Sequence, residues 1–155
     1  MKKTNKIMLV GMIAFFLTSL TSFAQEGEAE YSTIHFCRAK QGMMSGGTSF
    51  NIRININDKE ITNIGNGTKI SYKVYSEGEL KIFCEGEFSG SPVGSPYLET
   101  INVTHGQEYC IEFSANMTGM KGKLLDEKKA KKTIKAKYKT EYELEEMKDE
   151  PLIEK

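Results

Sequence analysis

Between Tyr31 and Phe113 the apolar residues recur at every second position, the period of a strand with one buried and one wet face. Ile34 and Phe36 alternate with Thr33, His35 and Cys37, and Phe50, Ile52, Ile54 and Ile56 alternate with Asn51, Arg53 and Asn55. Ile70, Tyr72 and Val74 alternate with Ser71, Lys73 and Tyr75, and Leu80, Ile82 and Cys84 with Lys81 and Phe83. Tyr97 to Val103 is rich in β formers, Tyr109, Ile111 and Phe113 alternate with Cys110 and Glu112, and residues 117–125 predict a last strand. Turn signals fall between these runs at Asn57-Asp58, Asn66-Gly67, Ser76-Glu77-Gly78 and His105-Gly106. Gly and Asn tolerate positive φ, and Asx side chains bond nearby backbone. Strands about ten residues apart, joined by short turns with no helices between them, predict a single antiparallel β-sandwich of about seven or eight strands, immunoglobulin-like or related. The longest loops expected are residues 89–96, with two Pro and two Gly, and residues 41–48, with two Met and three Gly.

Both ends of the chain break this pattern. Lys2, Lys3 and Lys6 precede an uncharged apolar run from Ile7 to Leu20 and the triplet Ser22-Phe23-Ala24, the layout of a secretory signal peptide with cleavage expected between Ala24 and Gln25. The run is shorter than the ~20 residues that span a hydrocarbon core as a helix, and acidic residues follow it. No stable membrane span is therefore expected after cleavage. No Cys stands after the run to take a lipid, so the product is expected to be exported, periplasmic or secreted, and not lipid-anchored.

At the other end Asp126 is placed to cap a helix, and Ala130, Ile134, Tyr138 and Tyr142 fall four apart on one narrow stripe. This predicts a helix from Glu127 to Met147, giving a signal peptide at 1–24, a β domain at 25–125 and a charged helical tail at 126–155. The tail's charges segregate: residues 121–139 carry nine lysines and two acids, residues 140–155 two lysines and seven acids. Lysines precede glutamates, as at Lys137 and Glu141, and acids gather at the helix end, orientations that weaken an isolated helix. Such a tail is expected to fray, or to bind as an arm, its basic half on an acidic protein surface or an anionic envelope polymer.

Composition narrows the classes. One domain fits in 155 residues, and a formal net charge of zero lacks the basic excess of a nucleic-acid binder. Charged residues at 27% and a normal share of β formers exclude wholesale disorder and a polytopic membrane protein. Cleavage removes three lysines and no acids, leaving 18 basic against 21 acidic groups.

Several segments together resemble a family of exported bacterial envelope domains known mainly as a domain of unknown function. They are the strand Thr33-Ile34-His35-Phe36-Cys37-Arg38, the Gly-rich loop after it, the hairpin Ile54-Asn55-Ile56-Asn57-Asp58-Lys59-Glu60-Ile61, Asn66-Gly67, the strand Ile70 to Tyr75, the turn at Gly78, and His105-Gly106-Gln107-Glu108-Tyr109. The likeness runs from about Thr33 to Leu125 and departs from the family at Ala39, where Pro is usual, and at Asp58, where Gly is usual. It implies a short β-sandwich whose hairpin is similar to PEGA-type surface modules, with no catalytic activity.

Candidate chemistry is sparse. His35 and Cys37 share one strand face, and Cys110, also at a polar-facing position, joins them if the first and last strands are neighbours, giving three groups that a metal ion could use. No His-x-x-x-His or Cys-x-x-Cys spacing supports that, and a surface His on a strand is ordinary. In an oxidising compartment three cysteines leave one over. Strand faces favour a Cys37–Cys110 bridge with Cys84 as a core thiol. Glu77, Glu79, Glu85 and Glu87 occupy turn ends and polar strand positions rather than forming an acid–base pair, and no nucleophile elbow or phosphate loop occurs. The chain thus reads as a non-enzymatic exported binding or scaffolding module of the envelope, without a cofactor, acting through 41–48, 89–96 or the tail. The rivals are a small secreted hydrolase or metal-dependent enzyme built on His35 and Cys37, and a carrier with a cavity between its sheets.

Overall fold

The computed structural model describes residues 31–42, 50–116 and 119–146. The signal segment with Ala24 and Gln25, residues 43–48 of the expected loop, and the last nine residues lie outside that set. The described chain is an all-β sandwich. Its strands are β1 (Ser32–Arg38), β2 (Asn51–Ile56), β3 (Lys59–Ile64), β4 (Thr68–Val74), β5 (Gly78–Phe88), β6 (Ser91–Val103), β7 (Glu108–Asn116), β8 (Gly119–Leu124) and β9 (Thr140–Glu145), with one helix, α1 (Glu127–Ile134), between β8 and β9. Sheet A runs β8-β7-β1-β4-β9 and sheet B runs β3-β2-β5-β6. Sheet B is antiparallel throughout, whereas in sheet A β1 pairs in parallel with β7, and β4 with β9.

The inward positions of both sheets meet in one core that includes Ile34, Phe36, Ile52, Ile54, Ile70, Ile82, Ile111 and Phe113, all at most 2% exposed. These are residues picked out by the two-residue alternation. Burying each such side chain is worth roughly 1.5–3 kcal/mol. The β2–β3 hairpin turns at Asn57 and Asp58, with φ of 48° and 64°, and Asn57 Oδ1 accepts from the Lys81 amide. Asx residues are among the few non-glycines that tolerate a primed turn, so Asn57-Asp58 closes the hairpin without a glycine.

Three expectations are corrected. Residues 89–96 are not a loop: Ser89 and Gly90 (φ 50° and 81°) make a two-residue hairpin turn, and β6 starts at Ser91. Pro92 and Pro96 are tolerated because β6 is the edge strand of sheet B, with no strand hydrogen-bonded to its outer side among the described residues to demand their missing N–H. The helix does not run to Met147. It ends at Ile134, and Thr140–Glu145 is a strand. There Tyr142 and Leu144 lie opposite Ile70 and Tyr72, while Glu141 and Glu145 lie opposite Lys69 and Lys73. A parallel neighbour with complementary charges therefore overrides a weak helical stripe. Finally, Cys37 and Cys110 do point away from the main core, but they are fully buried because α1 covers that face of sheet A.

Candidate functional site

The outer face of sheet A carries the polar strand positions singled out above. His35 and Cys37 project from β1, Cys110 and Glu112 from β7, and Lys69 and Ser71 from β4. β1 and β7 are neighbours, with His35 opposite Cys110 and Cys37 opposite Glu112. α1 closes over this face because Asp126 caps it, its Oδ1 accepting from the Lys129 amide at 3.0 Å, and because Ala130 is small enough to sit directly on the strands. Leu125 and Ile134 pack beside Cys37, Cys110, Ala130 and Tyr138, making a second apolar cluster separate from the main core. Tyr138 folds back, its hydroxyl donating to the Thr133 carbonyl at 2.9 Å.

Lys69 ties this cover down. Its side chain is only 14% exposed, and Nζ donates to the Ile134 carbonyl at 3.2 Å, lies 2.7 Å from Glu141 and sits 5.6 Å from the centre of the Tyr138 ring. A cation at the carbonyl end of a helix satisfies an orphan acceptor and complements the macrodipole. The same ammonium thus holds α1, the linker and β9. Further along β9, Lys73 pairs with Glu145 at 3.1 Å, and the Glu146 carboxylate accepts from the Tyr75 and Ser76 amides. Sequence reading missed Lys69, since nothing local distinguishes it from the other strand lysines.

The Cys37 and Cys110 sulfurs are 3.8 Å apart, both as free thiols, with Cys110 donating to Cys37. The hydrogen bond from Cys110, with help from the Lys69 charge, lowers the Cys37 thiol against the opposing effects of burial and the Glu112 carboxylate, while Cys110 is pushed up. Cys84, in the apolar core, is pushed up to about 12 by burial. His35 Nδ1 is 3.0 Å from the Ser71 hydroxyl, and Nε2 is 3.6 Å from Glu108 Oε1. Among the described residues no group of three or more His, Cys, Asp or Glu is arranged to hold a metal ion.

Burial lowers the His35 pKa from 6.5, with the Glu108 carboxylate opposing and the Lys69 ammonium assisting. The folded state therefore binds its proton less readily than the unfolded chain. The stabilisation is complete above about pH 6.5 and is lost as pH falls from there toward the folded-state value. Urea midpoints measured at about pH 7.5 and about pH 5.5 should show a drop in the native protein that shrinks in His35→Asn. An equal drop in both would assign the acid sensitivity to other groups.

Beside α1 opens a cleft of about 700 Å³, walled by Tyr31 and Thr33 at the start of β1, His105 and Gln107 in the turn before β7, and Glu127 and Lys131 of α1. The Glu127–Lys131 ion pair at 2.5 Å crosses one turn of the helix. On the side of α1 turned away from Ala130, Lys128, Lys132 and Lys135 form a stripe, and Lys121 and Lys123 project from the same outer face on β8. None of these five exposed ammoniums pairs with an acid among the described residues. Like charges four residues apart on a helix, as at Lys128 and Lys132, work against it, and α1 relies on the Asp126 cap, the Glu127–Lys131 pair and Lys69 instead.

No family model, curated protein or solved structure matches the chain.

Proposed function

We propose that the protein is a non-enzymatic binding or scaffolding module, exported to the bacterial envelope and seated on an anionic envelope component through the lysine stripe of α1 and β8. The observation that carries this reading is the run of exposed ammoniums, Lys128, Lys132 and Lys135 along α1 and its C-cap with Lys121 and Lys123 on β8, which pair with no acid among the described residues. An exposed stripe of one sign attracts a polyanion and speeds its encounter with the surface. The family resemblance and the signal-like leader supply the compartment. Glu141 and Glu145 of the acidic half are engaged within sheet A by Lys69 and Lys73, whereas the lysine stripe of the basic half faces outward.

Titration with a linear uronate polymer and a neutral glucan of similar length tests the reading. Binding to the uronate polymer is expected to weaken as ionic strength rises through about 0.15 M, where exposed charges are screened beyond ~8 Å. Replacing Lys128, Lys132 and Lys135 together by Gln should weaken it by roughly tenfold, at ~0.5 kcal/mol per exposed contact. Equal binding of the neutral glucan, or by the triple variant, would overturn it.

A further inference from the structure

The buried thiols under α1 take no part in the binding surface, and their arrangement has a chemistry of its own. We infer that Cys37 and Cys110 form a thiol–disulfide exchange pair, with Cys37 as the attacking sulfur, Cys110 as the resolving sulfur and α1 as the gate above them.

Proximity comes first. The sulfurs are 3.8 Å apart on adjacent strands, but His35 rather than Cys37 lies directly opposite Cys110, so closing to the ~2.05 Å of a bond draws a diagonal pair together and requires the two strands to shift locally. Roles follow from surroundings. Cys37 accepts the hydrogen bond of the Cys110 thiol and lies directly opposite Lys69 on the neighbouring strand, and both groups favour its thiolate, the reactive form. Cys110 is the donor in the bond between them and is deeply buried, which together disfavour its own ionisation until Cys37 has reacted, while the Glu112 carboxylate opposes ionisation of both thiols.

The oxidant is a disulfide of the thiol–disulfide oxidoreductase class. The Cys37 thiolate attacks one of its sulfurs, forming a mixed disulfide and expelling one thiolate. Cys110 then loses its proton, attacks Cys37 Sγ and expels the second. One S–S bond forms, one breaks, two electrons pass to the oxidant, and the protons shed by the two cysteines go to the expelled thiolates or to water.

Access requires a gate, since both thiols are 0% exposed. Their cover is an eight-residue helix that buries only Ala130 of its own residues. Helices shorter than ~12–15 residues are marginal alone, so α1 stands on its cap and on Lys69 and opens locally rather than with the whole fold. Cys84 provides an internal control, being equally buried but enclosed by the main core, which opens only on global unfolding. This pair does not depend on what the lysine stripe binds.

The test uses the reduced protein with an oxidised thiol–disulfide oxidoreductase, followed by non-reducing peptide mass mapping against time. A bridge between Cys37 and Cys110, with the loss of two hydrogens and Cys84 unreacted, is expected. Asp126→Ala, which removes the cap and leaves the thiols untouched, should speed the reaction about fivefold. Cys110→Ser should trap the mixed disulfide on Cys37. The inference is overturned if the two cysteines stay unbridged, if Cys84 reacts as fast as they do, if uncapping α1 leaves the rate unchanged, or if Cys110→Ser accumulates no adduct on Cys37.

Discussion

Arg38→Ala is expected to lower the stability of the sandwich by about 3–5 kcal/mol, the largest loss anticipated for a single side chain here. Arg38 ends β1 with its side chain fully buried, the largest residue so placed. Nη1 donates to the Phe50 carbonyl at 2.7 Å and reaches the Ile64 carbonyl at 3.3 Å, and the guanidinium lies 5.2 Å from the centre of the Phe50 ring. Those carbonyls sit just before β2 and at the end of β3, so one side chain of sheet A holds both open ends of a hairpin in sheet B. Burial lowers its pKa, yet a guanidinium keeps its charge at any pH in use. Truncation leaves a cavity and strands two acceptors, each costing about 1–3 kcal/mol when unsatisfied. Arg38→Lys keeps a charged donor but loses the planar fork and the stacking, so its loss should be intermediate. Guanidinium unfolding followed by tyrosine fluorescence, suited to a chain without Trp, measures both. A loss below about 1 kcal/mol for Arg38→Ala would show that the bonded carbonyls are readily rehydrated.

Lys69→Met is expected to release the tail while leaving the sandwich folded. Met keeps most of the buried stem but removes the charge, and with it the donor to Ile134, the pair with Glu141 and the contact with the Tyr138 ring. A charge-assisted hydrogen bond is worth about 1.5–3 kcal/mol, so amide exchange over residues 127–146 should accelerate by roughly ten- to a hundredfold, with β1, β2 and β5 little changed. Lys73→Met is the comparison. Its pair with Glu145 is more exposed, at 23% and 58%, and exposed pairs contribute ~0–1 kcal/mol. Equal acceleration in the two variants would mean that the β9 ladder, rather than the Lys69 contacts, holds the tail.

Much of this architecture was readable from alternation. Ile34, Ile52, Ile70, Ile82 and Ile111 were assigned to the inner face by period alone, and all are in the core. The turn at Asn57-Asp58 was equally legible, because its signal is the backbone preference of the two residues themselves. The strand over Ser91–Pro96 was not. Its Pro and Gly content reads as a loop unless an edge position is known, and edge position is a property of the sheet. The C-terminal strand was hidden for a related reason. Thr140, Tyr142 and Leu144 alternate with three glutamates, but the same Tyr142 also continues the helical stripe from Ala130. The two patterns compete evenly until Lys69 and Lys73 lie alongside.

The candidate site divides along the same line. Its residues were named early: His35, Cys37 and Cys110 share an outward face, and Cys84 does not. Whether that face was wet or covered, and which lysine held the cover, depended on contacts between residues far apart in the chain. Strand period, turn positions, inner face and charge segregation are local properties, set by neighbours two to four residues away. The pairing of β9 with β4, the burial of the two thiols and the role of Lys69 arise only when segments about seventy residues apart meet, and hydrophobic period carries no information about that meeting.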